Sequence, residues 1–186
     1  MKLNTYYSMV DFMEAEKQFV NTDTEVGSIV LIQRPEVIYV SDECCDVDYC
    51  RNNNIIHTQE TYMYASCVVM DKGNIILTIK RCNIDGKSLR SVFANAFIDY
   101  LKSKGLDAKS DGNDILVDGY KVASGVESEF KNGHRYMGYQ ISLVQNMDLI
   151  SKVCKKPMIK VPKGLADFGL TTDDIIEFCN EFWKKY

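Results

Sequence analysis

The sequence predicts an α+β fold, with β-hairpins and helices in separate stretches of the chain rather than in strict alternation. Two turn signals, Asp118-Gly119 and Asn132-Gly133, separate apolar runs that favour strands. Between residues 85 and 104, apolar side chains recur every three or four positions, which is typical of an amphipathic helix. No internal repeat or linker-like stretch divides the chain, so we expect one domain over residues 1–186.

The N-terminal half is predicted to contain a helix, several short strands and a second, shorter helix. Ser8 followed by Asp11 resembles a capping box, and an apolar stripe behind it predicts a helix over about residues 8–20. Asp71-Lys72-Gly73 is a hairpin-like turn between two β-rich runs. The predicted strands are 28–33, 36–41, 61–70 and 74–81, and the short helix is 46–53.

The C-terminal half is predicted to begin with the long helix, which stops at Gly105. Thr172 is predicted to cap the last helix, whose first turn is acidic and whose end carries Lys184 and Lys185. The remaining predictions are strands at 113–117, 120–130 and 136–144, and helices at 146–153 and 173–184.

Charge and hydropathy exclude two classes of partner. The formal net charge is −4, which gives no electrostatic footprint for nucleic acid. No apolar run reaches 18 residues, and the N-terminus carries acids where a signal peptide needs an apolar core, so we expect a cytoplasmic protein that does not enter a membrane. Five lysines lie within residues 152–163; they form either a solvated surface or a docking patch for an acidic partner.

The cysteines predict reduced thiols rather than a metal site. The chain has seven, an odd number, and none is in a Cys-x-x-Cys pair. Cys44, Cys45 and Cys50 are close in sequence but lack the spacing of zinc ligands. His57 and His134 are the only histidines, and each is expected in a surface or turn position.

The segment 113–130 is the most informative for function. It forms a predicted hairpin in which Lys121 lies beside small residues, so its ammonium can reach a ligand over the strand and hold a phosphate or an acyl carbonyl. The alternative is a surface lysine on an amphipathic hairpin. Strand alternation predicts one face with Lys121, Ala123 and Gly125, and the other with Tyr120, Val122 and Ser124.

This segment resembles a family. Asn113-Asp114-Ile115 followed by Gly119 to Gly125 looks like the Asn-Asp-Ile…Lys-Ile-Ser-Gly segment of lipoate–protein ligases, and is similar to the Lys-Ile-Ala-Ser segment of octanoyl transferases. Further resemblance to the catalytic core of the lipoate and biotin protein ligase family lies in four stretches, Pro35 to Asn54, Asp71 to Asn74, Ile141 to Ile150 and Gly164 to Phe178.

The resemblance implies a class II biotin/lipoate ligase-like core, with a mixed, mostly antiparallel sheet flanked by helices and no accessory C-terminal domain. It implies activation of lipoate by ATP to lipoyl-adenylate, with room for Mg²⁺, and transfer to a lysine of a lipoyl domain or carrier protein. Lys121 would be the catalytic residue. The ligand-binding positions would be Asn113, Asp114, Tyr64, Ala65, Ser66, Asp71, Gly73, Asn74 and Ser124.

The ligand loop departs from the family pattern. The paired arginines of the family fall on Glu60 and Thr61, and its three glycines fall on Tyr64, Ala65 and Ser66. Larger side chains would reshape the acyl slot, and the lost positive charges would weaken the hold on a triphosphate. Two alternatives therefore stay open: a non-catalytic member that binds a ligand or a protein, and an acyltransferase that uses Cys154 or Cys67 as its nucleophile.

Overall fold

A computed structural model describes residues 9–21, 27–31, 45–57, 69–82, 86–129 and 134–185. In that part of the chain the helices are α1 (Met9–Asn21), α2 (Val47–Asn52), α3 (Leu89–Ser103), α4 (Met147–Val153) and α5 (Thr172–Lys185), with a 3₁₀ helix at Leu165–Phe168. The strands are β1 (Gly27–Leu31), β2 (Asn74–Cys82), β3 (Ala108–Asp111), β4 (Asp114–Val117), β5 (Tyr120–Glu129) and β6 (His134–Ser142).

The six described strands form one sheet in the order β1-β2-β6-β5-β4-β3, and every neighbouring pair is antiparallel. Asp118 and Gly119 both have positive φ, 50° and 83°, as the predicted tight turn between β4 and β5 requires. Lys121 also forms an isolated parallel bridge to Pro162. The predicted α+β class, with a mixed and mostly antiparallel sheet flanked by helices, is confirmed.

One face of the sheet is covered by α3 and α5 and forms the main apolar core. The buried side of α3 carries Leu89, Phe93, Phe97 and Leu101 at four-residue spacing. The ring of Phe93 lies 4.7 Å from that of Tyr139 on β6, and it also contacts two rings of α5. None of the helices in the described ranges is long and apolar enough to span a membrane.

The start of α3 is set by two acceptors rather than by Asp85, where the sequence pattern placed it. The Ser88 hydroxyl accepts from the Ser91 N–H at 3.1 Å. The Glu127 carboxylate, on β5, accepts from the Leu89 N–H at 2.9 Å and from the Arg90 N–H at 3.2 Å. These bonds satisfy donors that a first helical turn leaves without partners, so the helix begins at Leu89.

The opposite face of the sheet carries buried polar groups beneath α1. Thr78 and Tyr136 donate to the Glu16 carboxylate, and the Lys80 ammonium donates to the Val20 carbonyl at 3.1 Å. Burial raises the pKa of Glu16, and the two hydrogen bonds only partly oppose that rise.

Most predicted elements are present in the described residues, with small shifts of their ends. The sequence patterns missed β3, because buried and exposed side chains do not alternate along it. The predicted Thr172 cap is wrong: the cap is Thr171, which exchanges hydrogen bonds with Asp174, because Thr172 already belongs to the first helical turn. The predicted strand 36–41, residues 61–68 of the predicted strand 61–70, and the turn Asn132-Gly133 lie outside the described residues.

Candidate functional site

A cleft of about 460 Å³ opens on the sheet face that α3 and α5 leave uncovered. Its floor is one row of side chains across four antiparallel strands. The register pairs Ile76 with Gln140, Gln140 with Ser124, and Ser124 with Asp114. Gln140, Ser124 and Asp114 line the cleft, so its floor is polar where the opposite face is apolar.

A β-bulge in β5 aims Lys121 into this cleft. Ile115 of β4 pairs with Ala123 and Leu116 pairs with Lys121, so Val122 is an extra residue on β5. Simple alternation predicted Lys121 and Ser124 on opposite faces, and that prediction is wrong. Both contact the Asp114 carboxylate, because the extra residue shifts the alternation by one position.

Asp114 is held between two lysines. Its Oδ1 lies 2.9 Å from the Lys121 ammonium, and its Oδ2 accepts from the Lys160 ammonium at 2.8 Å. Lys160 also pairs with Asp111 at 2.9 Å. Burial alone would raise the pKa of Asp114, but hydrogen bonds from Lys160, Lys121 and Ser124 outweigh it, so the pKa lies below its ordinary value. Hydrogen bonds to Asp114 and Asp111 raise the pKa of Lys160.

The chain after α4 runs beside Lys121 and brings Lys160 to the site. The Lys121 N–H donates to the Val161 carbonyl at 3.0 Å, and the Lys163 N–H donates to the Lys121 carbonyl at 3.0 Å. This segment therefore continues the sheet alongside β5 at Lys121, whose other side pairs with β4. Sequence reasoning missed Lys160 as a site residue; its only signal was membership of the basic cluster 152–163.

The cleft also contains a cysteine. Cys154, at the end of α4, is half-buried and lines the cleft together with Lys156. The wall of the cleft is largely apolar and is formed by Val69, Ile150, Met158, Ile159 and Pro162. Ile159 is 98% exposed, so this wall offers apolar surface to anything that enters. Cys67 lies outside the described residues.

Among the described residues, Asn113, Asp71, Gly73 and Asn74 are predicted ligand residues that do not line this cleft. The Asn113 side chain is exposed, and it lines a separate groove with Arg90 and Arg135. Asp71 instead shapes a turn, accepting from the Gly73 N–H at 2.8 Å and from the Asn74 amide at 2.9 Å. Tyr64, Ala65 and Ser66 lie outside the described residues.

Gly73 has a packing role that its place in the family motif does not reveal. A Cβ there would lie 2.3 Å from the Val144 carbonyl oxygen, so only glycine allows this approach. The Gly73 carbonyl in turn accepts from the Leu143 and Val144 N–H groups at 2.8 and 2.9 Å. Asn74 reaches the cleft indirectly, since its side-chain oxygen accepts from Gln140. This turn therefore supports one wall of the cleft from behind.

Solved structures of ligases share this fold. Two are from Thermoplasma acidophilum: a bipartite lipoate protein ligase described with its E2 lipoyl domain, and a putative lipoate protein ligase with bound lipoic acid. Each is 18% identical with a TM-score of 0.77, over 98% of this chain and 81% or 83% of the other. A lipoate-protein ligase A bound with ATP is 18% identical with a TM-score of 0.77, over 100% of this chain and 85% of the other.

A biotin protein ligase from Leishmania major, in complex with biotinyl-5-AMP, is more distant. It is 13% identical with a TM-score of 0.55, over 97% of this chain and 70% of the other. By sequence, the chain matches no protein-family model and no curated protein. The chain thus has the fold that lipoate and biotin protein ligases share, as the sequence resemblance predicted, and among these structures the higher TM-scores are those of the lipoate ligases.

Proposed function

We propose that this protein is a lipoate–protein ligase-like enzyme. In its first step a lipoate carboxylate attacks the α-phosphorus of ATP, forming lipoyl-adenylate and releasing pyrophosphate. In its second step a lysine amine of a lipoyl domain attacks the acyl carbon and releases AMP. The observation that carries the proposal is a cleft that combines Lys121 on a polar floor with an apolar wall, in a fold shared with ligases solved with lipoic acid and with ATP.

Lys121 can serve both steps because Asp114 does not depend on it alone. When a ligand enters, the Lys121 ammonium can turn from Asp114 towards the acyl carbonyl and phosphate oxygens. Asp114 then keeps its ion pair with Lys160, so no partly buried carboxylate is left without a cation. A cation placed where negative charge develops stabilises the transition state, and holding the reactants together supplies most of the remaining rate.

The ligands follow from the residues that line the cleft. The apolar wall suits an acyl chain such as that of lipoate, while Lys121 and Lys156 offer positive charge to the phosphates of ATP. We include Ser124 and residues 64–66 as ligand contacts, and Asp71, Gly73 and Asn74 as residues that act through the turn behind the cleft. We also propose that residues 1–186 act as one domain.

Pyrophosphate exchange with lipoate and ATP tests the proposal. Lys121→Met should lower the exchange rate by roughly 10²–10³, as expected when one donor to a developing negative charge is lost. Lys109→Met is the matched control, because Lys109 is an exposed lysine on β3 of the same sheet and does not line the cleft. No exchange by the unmodified protein would contradict the ligase proposal, and lipoyl-adenylate binding without turnover would instead favour the non-catalytic alternative.

A second candidate function is acyl transfer through Cys154. The observation that favours it is the position of Cys154 in the same cleft as Lys121, where a thiolate could accept an acyl group from a carrier protein. Mass spectrometry after incubation with octanoylated carrier protein should then find a hydroxylamine-labile octanoyl group on Cys154. An unmodified Cys154 under conditions in which the protein stays folded would reject this function.

A further inference from the structure

Three cysteines lie close together at the cleft, and one of them lines it. Cys45 and Cys154 face each other in an antiparallel bridge, and the Asp46 N–H beside it donates to the Val153 carbonyl at 2.9 Å. The sulfur of Cys50, on α2, lies 3.6 Å from that of Cys45. Cysteines 45 and 50 are wholly buried, while Cys154 is half-buried and lines the cleft.

The bridge geometry permits a disulfide between Cys45 and Cys154. Directly opposed residues of an antiparallel bridge have Cα atoms about 4.5–5.5 Å apart. Disulfides span Cα separations of about 4.4–6.8 Å, so this pair needs no rearrangement of the backbone. In the described part of the chain, no group of three or more His, Cys, Asp or Glu side chains is arranged to hold a metal ion.

The three cysteines differ in burial, and this difference determines which of them can react first. Burial, with smaller contributions from Cys45, Asp46 and Cys154, raises the pKa of the Cys50 thiol to about 12, so Cys50 is a poor nucleophile. Cys154 is half-buried and lines the cleft, so a reagent in the cleft meets it before the wholly buried Cys45. Cys154 is therefore placed to react first, with Cys45 directly behind it.

We propose that Cys154 and Cys45 form a dithiol that exchanges with a small-molecule disulfide entering the cleft. The Cys154 thiolate attacks one sulfur of the disulfide, forms a mixed disulfide and releases the first thiolate. The Cys45 thiol then loses its proton and attacks the Cys154 sulfur, which expels the second thiolate and leaves a Cys45–Cys154 disulfide. Two electrons pass from the protein to the small molecule, which is reduced to two thiols, and Cys50 remains a thiol.

The exchange would act on the site already described. A Cys45–Cys154 disulfide ties the start of the segment 155–163 to the chain preceding α2, and that segment carries Lys160 to Asp114. If the cleft binds lipoate, which rests on the proposed function, the dithiolane ring of lipoate supplies a disulfide in place. Otherwise a linear disulfide such as oxidised glutathione has the same reactive bond.

The test needs neither ATP nor an acceptor protein. The folded protein is incubated with oxidised glutathione or with lipoic acid, quenched with an alkylating reagent and mapped by peptide mass spectrometry. We expect a Cys45–Cys154 disulfide and two fewer alkylated thiols. Cys154→Ser should abolish the disulfide, and Cys45→Ala should accumulate a mixed disulfide on Cys154. Cys179→Ser is the matched control, because Cys179 is buried in the core on α5 and away from the cleft.

Each outcome decides the proposal. Exchange with either reagent supports it, and the reagent that reacts identifies whether the disulfide is cyclic or linear. A disulfide between Cys45 and Cys50 instead, or no disulfide in the folded protein, would overturn it. Cys44→Ser keeps the assignment to Cys45 unambiguous, and thermal unfolding confirms that each variant is folded. Because pyrophosphate exchange is not the readout, failure of the ligase proposal would leave this result unaffected.

Discussion

The two faces of the sheet differ in what they bury. On the face beneath α3 and α5, the row Ile75, Ile141, Ala123 and Ile115 is apolar across four strands. The neighbouring residue on each of these strands belongs to the cleft face. These residues form the row Ile76, Gln140, Ser124 and Asp114. The same four strands thus carry a dry core on one side and the polar floor of the cleft on the other.

The difference separates stability from function within single strands. Apolar burial on the helix-covered face supplies free energy of folding. The polar row costs free energy unless each group is hydrogen-bonded, and here its charged member is bonded to two lysines and a serine. We therefore expect substitutions on the helix-covered face to change mainly the free energy of unfolding, and substitutions around the cleft to change mainly binding.

The largest expected effect is in the core. Phe93→Ala removes a fully buried ring that contacts Tyr139, Phe178 and Phe182, so it should lower the free energy of unfolding by about 3–5 kcal/mol. On the cleft face, Ser124→Ala removes one hydrogen bond and should cost only about 0.5–1.5 kcal/mol. Urea unfolding at neutral pH measures both. Equal costs would refute the division between the faces.

The same comparison explains what the sequence could predict. The apolar face follows periodicity, so α3, β2 and the β4–β5 hairpin were predicted from their patterns. The cleft depends on structural features that no local sequence pattern reveals. An extra residue in β5 reverses the side of Lys121, and Lys160 arrives from 39 residues further along the chain. The Asn-Asp and Lys segments were found by resemblance, but strand alternation alone placed Ser124 on the wrong side.

An intermediate effect is expected at Asp114. Asp114→Asn removes the carboxylate shared by Lys121 and Lys160, and should lower the free energy of unfolding at neutral pH by about 1.5–3 kcal/mol. Because the pKa of Asp114 is depressed in the folded state, its contribution is present above the ordinary value of 3.8 and is lost as pH falls through the folded value. Urea unfolding from pH 3 to pH 7 should show the two proteins converging at low pH.

Glu16 contacts the same face of the sheet as Asp114, and its contribution to stability should depend on pH in the opposite direction. Its pKa is raised by burial, so the folded state holds its proton more tightly than the unfolded state does. As pH rises above the ordinary value of 4.5 towards the folded value, the unmodified protein should lose stability relative to Glu16→Gln. A pH dependence of the same sign for both variants would contradict the assigned environments.

The smallest expected effect on stability is at the rim of the cleft. Ile159 is 98% exposed, so Ile159→Ser should change the free energy of unfolding by less than about 0.5 kcal/mol. If an acyl chain covers this side chain, the same change should weaken lipoic acid binding by roughly 10- to 150-fold, since a buried isoleucine contributes about 1.5–3 kcal/mol. Val10→Ser is the matched control, because Val10 is an exposed apolar residue of α1 that does not line the cleft. Calorimetric titration with lipoic acid measures the affinities. Unchanged affinity for Ile159→Ser would place the acyl chain elsewhere, because an acyl chain that covered this side chain would lose an apolar contact.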